Sequence, residues 1–220
     1  MSEIEAAPLT PAEPILKRLK RVTHSAHLSA EALVNILEPS VSLEDYRHYL
    51  ERFLGFLEPL ERELLAGPLR EDGELDMLAR QKCGLLERDL QALGGEPAAL
   101  ALLPRCTAFP DITDPASALG CLYVLEGSTL GGQFILRHVR PRLAALAPGA
   151  FAYLECYGGR TGEMWKTFGQ VIGRGAVSEA ASAQMVTAAC ETFAALGHWL
   201  GQGTTQASAP ISPSKLHAAT

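Results

Sequence analysis

The sequence predicts an all-α protein, a compact multi-helix bundle of about six to eight helices. Apolar residues recur at intervals of three and four residues through most of the chain, and the alternating pattern of β-strands is absent. Glycine and proline pairs such as Gly67-Pro68 and Gly94-Gly95 separate the helical segments. A chain of 220 residues can fill one core, so a second domain is not required.

Individual helices follow from the apolar spacing and from end signals. Ser42 and Asp45 form a capping-box pattern at the start of the second helix, and Pro59 is expected to bend that helix. We expect the segment GSTLGG at 127–132 to interrupt the fourth helix. The predicted helices cover about residues 14–37, 42–66, 74–93, 114–140, 148–155, from 163 onwards, and 178–200.

The two ends of the chain differ in composition from the middle. They are rich in Ala, Ser, Thr, Pro and Gly and have almost no apolar periodicity. We therefore expect a flexible N-terminal segment over 1–12, a helical domain over 13–201 and a flexible tail over 202–220.

The composition is that of a soluble globular protein, with 47% hydrophobic and 20% charged residues. A formal net charge of −6 argues against nucleic acid as the main partner, because phosphate binding needs a basic face. We find no signal-peptide pattern and no run of ~18 apolar residues that would predict a membrane span. The five cysteines lack metal-site or disulfide spacing, so we expect a cytoplasmic protein.

His27 on the first helix is a candidate metal ligand. Lys20 lies seven residues earlier, close to two turns, so both side chains project in the same direction about 10 Å apart. Glu31, one turn later, can accept the other ring N–H and fix the tautomer. Taken alone, the pattern is more often that of a half-buried structural histidine, and the lysines and arginines nearby can equally form a solvated face.

The glycines of the fourth helix are unusual. Gly127, Gly131 and Gly132 interrupt a helical apolar pattern, and each costs about 1 kcal/mol relative to alanine inside a helix. Close helix packing or a simple kink would account for them. The alternative is a flat ligand that approaches the backbone too closely for any Cβ, with Ser128 holding ordered water beside it. A phosphate-binding loop is excluded, because no strand precedes the segment.

Taken together, these segments resemble the haem oxygenase family, in particular its bacterial and phytochrome-associated members. The resemblance lies in RLKRVTHSAHLSAE at 18–31 and YVLEGSTLGGQ at 123–133, and CYGGRTGEMWKTF at 156–168 is similar to a third region of the bacterial members. It covers about residues 15–200 and implies a haem oxygenase-like helical bundle.

The resemblance implies roles for single residues. It makes His27 the proximal iron ligand and places Gly127, Ser128, Gly131 and Gly132 on the distal face of the haem. The implied cofactor-binding residues are Lys20, Thr23, Glu31 and Tyr123, of which Lys20 and Tyr123 would contact the propionates. Arg160 and Lys166 are weaker candidates for the same role, and Trp165 and Phe168 are expected to be core aromatics. Ser128 replaces the aspartate of the mammalian type, which leaves the route of proton delivery open.

The implied activity is oxidative cleavage of haem, which is both cofactor and substrate. With O₂ and a reductant, a meso carbon would be attacked to give biliverdin, CO and ferrous iron. The chain has no flavin or nicotinamide motif, so electrons would come from an external donor such as ferredoxin or a reductase. The reaction would serve iron acquisition from haem or, as we slightly favour, its biliverdin would supply the chromophore of a bacterial phytochrome.

Two other functions remain open for such a chain. A non-catalytic haem-binding carrier or sensor would share the fold and the histidine. A different enzyme on the same scaffold, such as a thiaminase-like hydrolase, would need a nucleophilic cysteine, and no cysteine here has a recognisable activating context.

Overall fold

The computed structural model describes residues 13–70, 73–145 and 147–202. Within these residues the protein is all-α, as predicted, and forms eight α-helices. They are α1 (Ile15–Ala32), α2 (Leu43–Ala66), α3 (Cys83–Ala92), α4 (Pro97–Ala101), α5 (Pro115–Leu143), α6 (Ala152–Glu155), α7 (Thr161–Gly175) and α8 (Glu179–Gly201). Short 3₁₀ turns cover Asn35–Leu37 and Gly158–Arg160. The expected flexible segment 1–12 lies outside the described residues, as does the tail beyond residue 202.

Helix α5 lies at the centre of the bundle. It packs against α8, α7, α6 and α2, and its buried residues include Leu119, Leu122 and Leu125. Helix α1 packs against α8 and α7. As a result, α7 and α8 both lie against α1 and against α5, and they set the relative positions of the two helices that carry the predicted site residues.

By length and composition, α5 could cross a membrane. However, 56% of its most apolar stretch is buried inside the protein, as in the core helix of a soluble protein. This helix is therefore weak evidence for a membrane span.

The predicted capping box of α2 is confirmed. The Ser42 hydroxyl accepts a hydrogen bond from the Asp45 N–H at 3.1 Å, and the Asp45 carboxylate accepts one from the Ser42 N–H at 2.8 Å. The Ser42 hydroxyl also donates to the Asp45 carboxylate at 2.6 Å, and this bond together with that from the Ser42 N–H lowers the pKa of Asp45. Helix α5 begins with the same arrangement at Asp114 and Ser117. Both starts depend on neighbouring residues only, and this is why the sequence could predict them.

Three predicted helix boundaries are wrong, among them that of α6, which begins at Ala152 instead of residue 148. The first helix ends at Ala32 instead of continuing to residue 37, and a separate 3₁₀ turn follows. The third helix begins at Cys83 instead of residue 74, because the residues before it carry Arg80 and Lys82 into a buried cluster described below.

The predicted interruption of α5 at 127–132 is also wrong, since the helix continues unbroken to Leu143. The hydroxyls of Ser128 and Thr129 donate to the carbonyls of Leu125 and Glu126, both at 2.7 Å, so the polar groups of this stretch are satisfied within the helix. Packing of α5 on its neighbours outweighs the low helix propensity of the glycines.

Candidate functional site

His27 lies on α1 with its side chain 49% exposed. Its Nδ1 is 3.5 Å from a carboxylate oxygen of Glu31, which is the pairing that the helical spacing predicts. The ring of Phe193 on α8 meets the imidazole edge-on, with the centroids 5.6 Å apart. These two contacts restrict the ring, and they leave Nε2, at the opposite edge of the imidazole, as the nitrogen that can bind a metal.

Thr23 and Tyr123 meet at the contact between α1 and α5. Thr23 is buried, and its hydroxyl donates to the Leu19 carbonyl at 2.8 Å. Burial raises the pKa of Tyr123, and the nearby Thr23 hydroxyl partly offsets this effect. His27 follows Thr23 by four residues, and Gly127 follows Tyr123 by four residues. His27 and Gly127 therefore each lie about one helical turn beyond the contact between Thr23 and Tyr123.

The distal glycines differ in their surroundings. Apart from the neighbouring backbone of α5 itself, a Cβ built on Gly127 or Gly131 would have no protein atom within 4 Å, so packing between helices does not explain these two residues. A Cβ on Gly132 would contact the carbonyl of Leu154 at 3.4 Å, so packing against α6 accounts for the third glycine. The open backbone at Gly127 and Gly131 is the surface that a flat ligand such as haem would need, and the residues present fit that ligand.

Ser128 is half-buried between these glycines. Its hydroxyl donates to the Leu125 carbonyl. Burial raises the pKa of Tyr153, and the nearby Ser128 hydroxyl partly offsets this effect. Ser128 and Tyr153 are thus two neutral hydroxyl groups beside the glycine-rich face of α5.

The predicted anion-binding residues lie at the surface. Lys20, Arg160 and Lys166 are all exposed. On α1, Arg18 pairs with Glu179 at 2.7 Å and Arg21 pairs with Glu13 at 2.8 Å. Lys20 is therefore better placed than these arginines to reach an anionic ligand.

The aromatic residues of the third segment have separate positions. Phe168 is fully buried in the core, as expected. Trp165 is half-buried, with its ring centroid 5.7 Å from that of Phe168 and 6.1 Å from that of Tyr123. Trp165 thus contacts a predicted site residue as well as the core.

A buried ionic cluster that was not predicted from the sequence lies directly before Gly127. The Glu126 carboxylate is fully buried, pairs with the Arg80 guanidinium, and accepts hydrogen bonds from Lys82 Nζ at 2.9 Å and from the Tyr157 hydroxyl at 2.8 Å. The isolated carboxylate within the apolar run LYVLEGS was the available signal. Removing one partner of a buried pair costs about 3–5 kcal/mol, because the remaining charge stays buried.

A second carboxylate balances the charge of this cluster. Glu61 on α2 accepts hydrogen bonds from the backbone N–H groups of Lys82 at 2.7 Å and Cys83 at 3.2 Å. Burial and the adjacent Glu126 carboxylate raise the pKa of Tyr157, so its phenol stays protonated and donates. The cluster fixes the segment before α3 against α2 and α5.

Asp89 on α3 holds the start of α6. It is fully buried, and its two oxygens accept hydrogen bonds from the N–H groups of Ala152 and Tyr153, both at 2.8 Å. Burial raises the pKa of this carboxyl to about 6. Asp89 thereby positions the short helix that carries Tyr153 and Leu154 beside α5.

A cavity of about 410 Å³ lies elsewhere, and Glu58, Glu61, Arg62 and Cys83 are among its lining residues. Burial and the nearby Glu61 raise the pKa of the Cys83 thiol, and burial also raises the pKa of Cys121, Cys156 and Cys190. A nucleophilic cysteine needs a lowered pKa. These four thiols are therefore poor candidates for the hydrolase alternative.

The fold and this arrangement define a class: an all-α protein with a half-exposed histidine on one helix and glycines with open Cβ positions on another. The chain matches the family model described as heme oxygenase over residues 13–202 and belongs to the haem oxygenase family. It is similar in fold to a solved haem oxygenase from Neisseria meningitidis, studied with NO and CO bound, at 24% identity and a TM-score of 0.70. That match covers 90% of this chain and 96% of the other. No curated protein matches.

Proposed function

We propose that this protein is a haem oxygenase that uses O₂ and an external reductant to cleave haem at a meso carbon, releasing biliverdin, CO and ferrous iron. Family membership supports the general activity. The observation that carries the proposal is the arrangement around the contact between Thr23 and Tyr123. One turn beyond it, α1 presents His27 and α5 presents glycines with open Cβ positions.

His27 would be the iron ligand, through Nε2. Glu31 beside Nδ1 would fix the tautomer and raise the basicity of the ligating nitrogen. Phe193 limits rotation of the imidazole. Bound haem would supply an iron with one site open to O₂.

Other residues would orient the ligand and supply protons. Lys20 and Tyr123 would hold the propionates, and Thr23 would hold Tyr123. Gly127, Gly131 and Gly132 would allow the backbone of α5 to approach the ring, with Gly132 also packing on α6. The Ser128 hydroxyl donates to a carbonyl and contacts the neutral phenol of Tyr153, so these two groups would hold protons where the mammalian type has a carboxylate.

The electron donor and the use of biliverdin belong to the same proposal. The lack of a flavin or nicotinamide motif supports a separate donor, a ferredoxin or a reductase. The resemblance to phytochrome-associated members supports transfer of biliverdin to a bacterial phytochrome, and the expected location is the cytoplasm.

Aerobic turnover of the haem-loaded protein tests this function. With ascorbate or ferredoxin as reductant, we expect the Soret band to disappear and a biliverdin isomer to be recovered by chromatography. His27→Ala should abolish turnover and shift the ferric haem spectrum. His24→Ala, which removes an exposed histidine of the same helix, should leave both unchanged.

Two results would contradict the proposal. A spectrum that becomes reduced but stays intact would indicate a carrier or sensor. Haem binding that is absent, or unchanged in His27→Ala, would favour a different enzyme on this scaffold.

A further inference from the structure

The glycine-rich stretch of α5 is tied at both ends to one short segment of chain. Glu126 precedes the stretch 127–132, and its carboxylate accepts a hydrogen bond from the Tyr157 hydroxyl at 2.8 Å. Gln133 follows the stretch, and its amide Nε2 donates to the carbonyls of Leu154 at 3.2 Å and Glu155 at 2.9 Å. We call residues 154–157 the bridging segment.

Within the stretch 127–132, only Thr129 and Gly132 are buried. Two of its three glycines have no packing neighbours at the Cβ position, and glycine has a low helix propensity. The hydroxyls of Ser128 and Thr129 donate to carbonyls three residues earlier and so compete with the backbone hydrogen bonds of the helix. External contacts therefore have a large share in fixing the backbone here.

The bridging segment is itself firmly held. Asp89 accepts hydrogen bonds from the two N–H groups just before the segment, at residues 152 and 153. At its other end, Lys82 Nζ lies 3.3 Å from the Tyr157 hydroxyl and 5.4 Å from the centre of its ring. The bridging segment is thus held in place by α3 and by the buried cluster. Through its own hydrogen bonds to Glu126 and Gln133, it can fix the position of α5 relative to both.

We propose that the bridging segment sets the shape of the glycine-rich stretch, and that Tyr157 and Gln133 are positioning residues for the wall of the ligand site. The identity of the ligand rests on the proposed function, whereas the hydrogen bonds that join the bridging segment to α5 do not. Displacement of the backbone at 127–131 would alter how a flat ring lies against α5, and so which edge of the ring faces the reactive position.

Hydrogen–deuterium exchange on the haem-free protein tests the tie directly. In Tyr157→Phe and in Gln133→Leu, we expect the amides of residues 127–133 to exchange about five-fold faster, the effect of losing one typical buried hydrogen bond. The matched control is Tyr46→Phe. Tyr46 is a buried tyrosine whose hydroxyl donates to the Ala150 carbonyl at 2.7 Å, outside the bridging segment. The Tyr46→Phe variant should leave exchange at 127–133 unchanged.

A second readout uses the haem-loaded protein. The two variants should still bind haem, and they should change the proportions of biliverdin isomers, whereas Tyr46→Phe should not. Exchange at 127–133 that stays at the wild-type rate, or that rises only as part of an even rise along the whole chain, would overturn the proposal. If the wild type bound no haem, the proposed function would fail, and the exchange experiment would still decide whether the tie exists.

Discussion

At the scale of single residues, Gly120 and Gly131 lie on the same helix for different reasons. A Cβ on Gly120 would lie 2.3 Å from the Met185 carbonyl oxygen and 2.9 Å from the Ala188 Cβ, so this glycine allows α5 and α8 to approach closely. A Cβ on Gly131 would meet nothing within 4 Å. The first glycine serves the fold, and the second is compatible with a ligand.

We therefore expect opposite effects from the same substitution. Gly131→Ala should stabilise the haem-free protein by about 1 kcal/mol, because alanine is the better helix former, and it should weaken haem binding. Gly120→Ala should destabilise the protein by about 1–3 kcal/mol through overpacking. Urea unfolding of the haem-free variants and a spectrophotometric haem titration measure both quantities. A Gly131→Ala variant that binds haem as tightly as the wild type would contradict the assignment of this glycine to the site.

At the scale of elements, the turn after α6 contains a strained residue. Cys156 has φ 44° and ψ −106°, and Tyr157 has φ −80° and ψ −3°. These angles are close to those of a type II′ turn, whose first central position favours glycine. Cys156 thus carries a side chain in a conformation that L-residues rarely adopt, directly before the tyrosine that bonds to Glu126.

Replacing this cysteine by glycine should relieve the strain. We expect Cys156→Gly to raise the free energy of unfolding by about 1 kcal/mol, since the relief exceeds the entropic cost of glycine in the unfolded chain. Cys156→Ala serves as the control, because it removes the thiol and keeps the Cβ. Equal stability of the two variants in urea unfolding would show that the thiol, and not the backbone, determines the effect.

Some features of the helices follow from local sequence patterns, and others do not. The capping box at Ser42 and the pairing of His27 with Glu31 depend on residues within one or two turns, and both were predictable. The start of α3 was not predictable. Arg80 and Lys82 lie before the helix and bind Glu126, which is about 45 residues further along the chain. A side chain that satisfies a distant charge overrides the local preference for helix.

At the scale of the whole molecule, Asp89 links α3 to α6 and makes stability depend on pH. Its pKa is raised to about 6 in the folded protein, above the ordinary value of 3.8. The folded state therefore holds this proton in a pH range in which the unfolded chain has lost it. Because the folded state binds more protons between about pH 4 and about pH 6, the contribution of Asp89 to stability falls as the pH rises through this window.

The direction of this pH dependence can be measured by comparing the wild type with Asp89→Asn. We expect the free energy of unfolding of the wild type to fall relative to that of the variant between about pH 4 and about pH 6, and the difference to stay constant above that range. Asp45→Asn is the control of opposite sign, since the pKa of Asp45 is lowered and its contribution is lost as the pH falls. Urea unfolding at several pH values tests both, and a wild-type advantage over Asp89→Asn that grows towards pH 6 would contradict the prediction.

The sequence by itself determined the helical class, several helix ends, the family, and the residues proposed for the site. All of these depend on periodicity, on neighbours a few residues apart, or on motif spacing. Only the tertiary structure decided that α5 is unbroken, that Gly127 and Gly131 face open space while Gly132 packs on Leu154, and that Glu126 is the centre of a buried cluster. These features join residues that are distant in the chain, and no local pattern encodes which of them will meet.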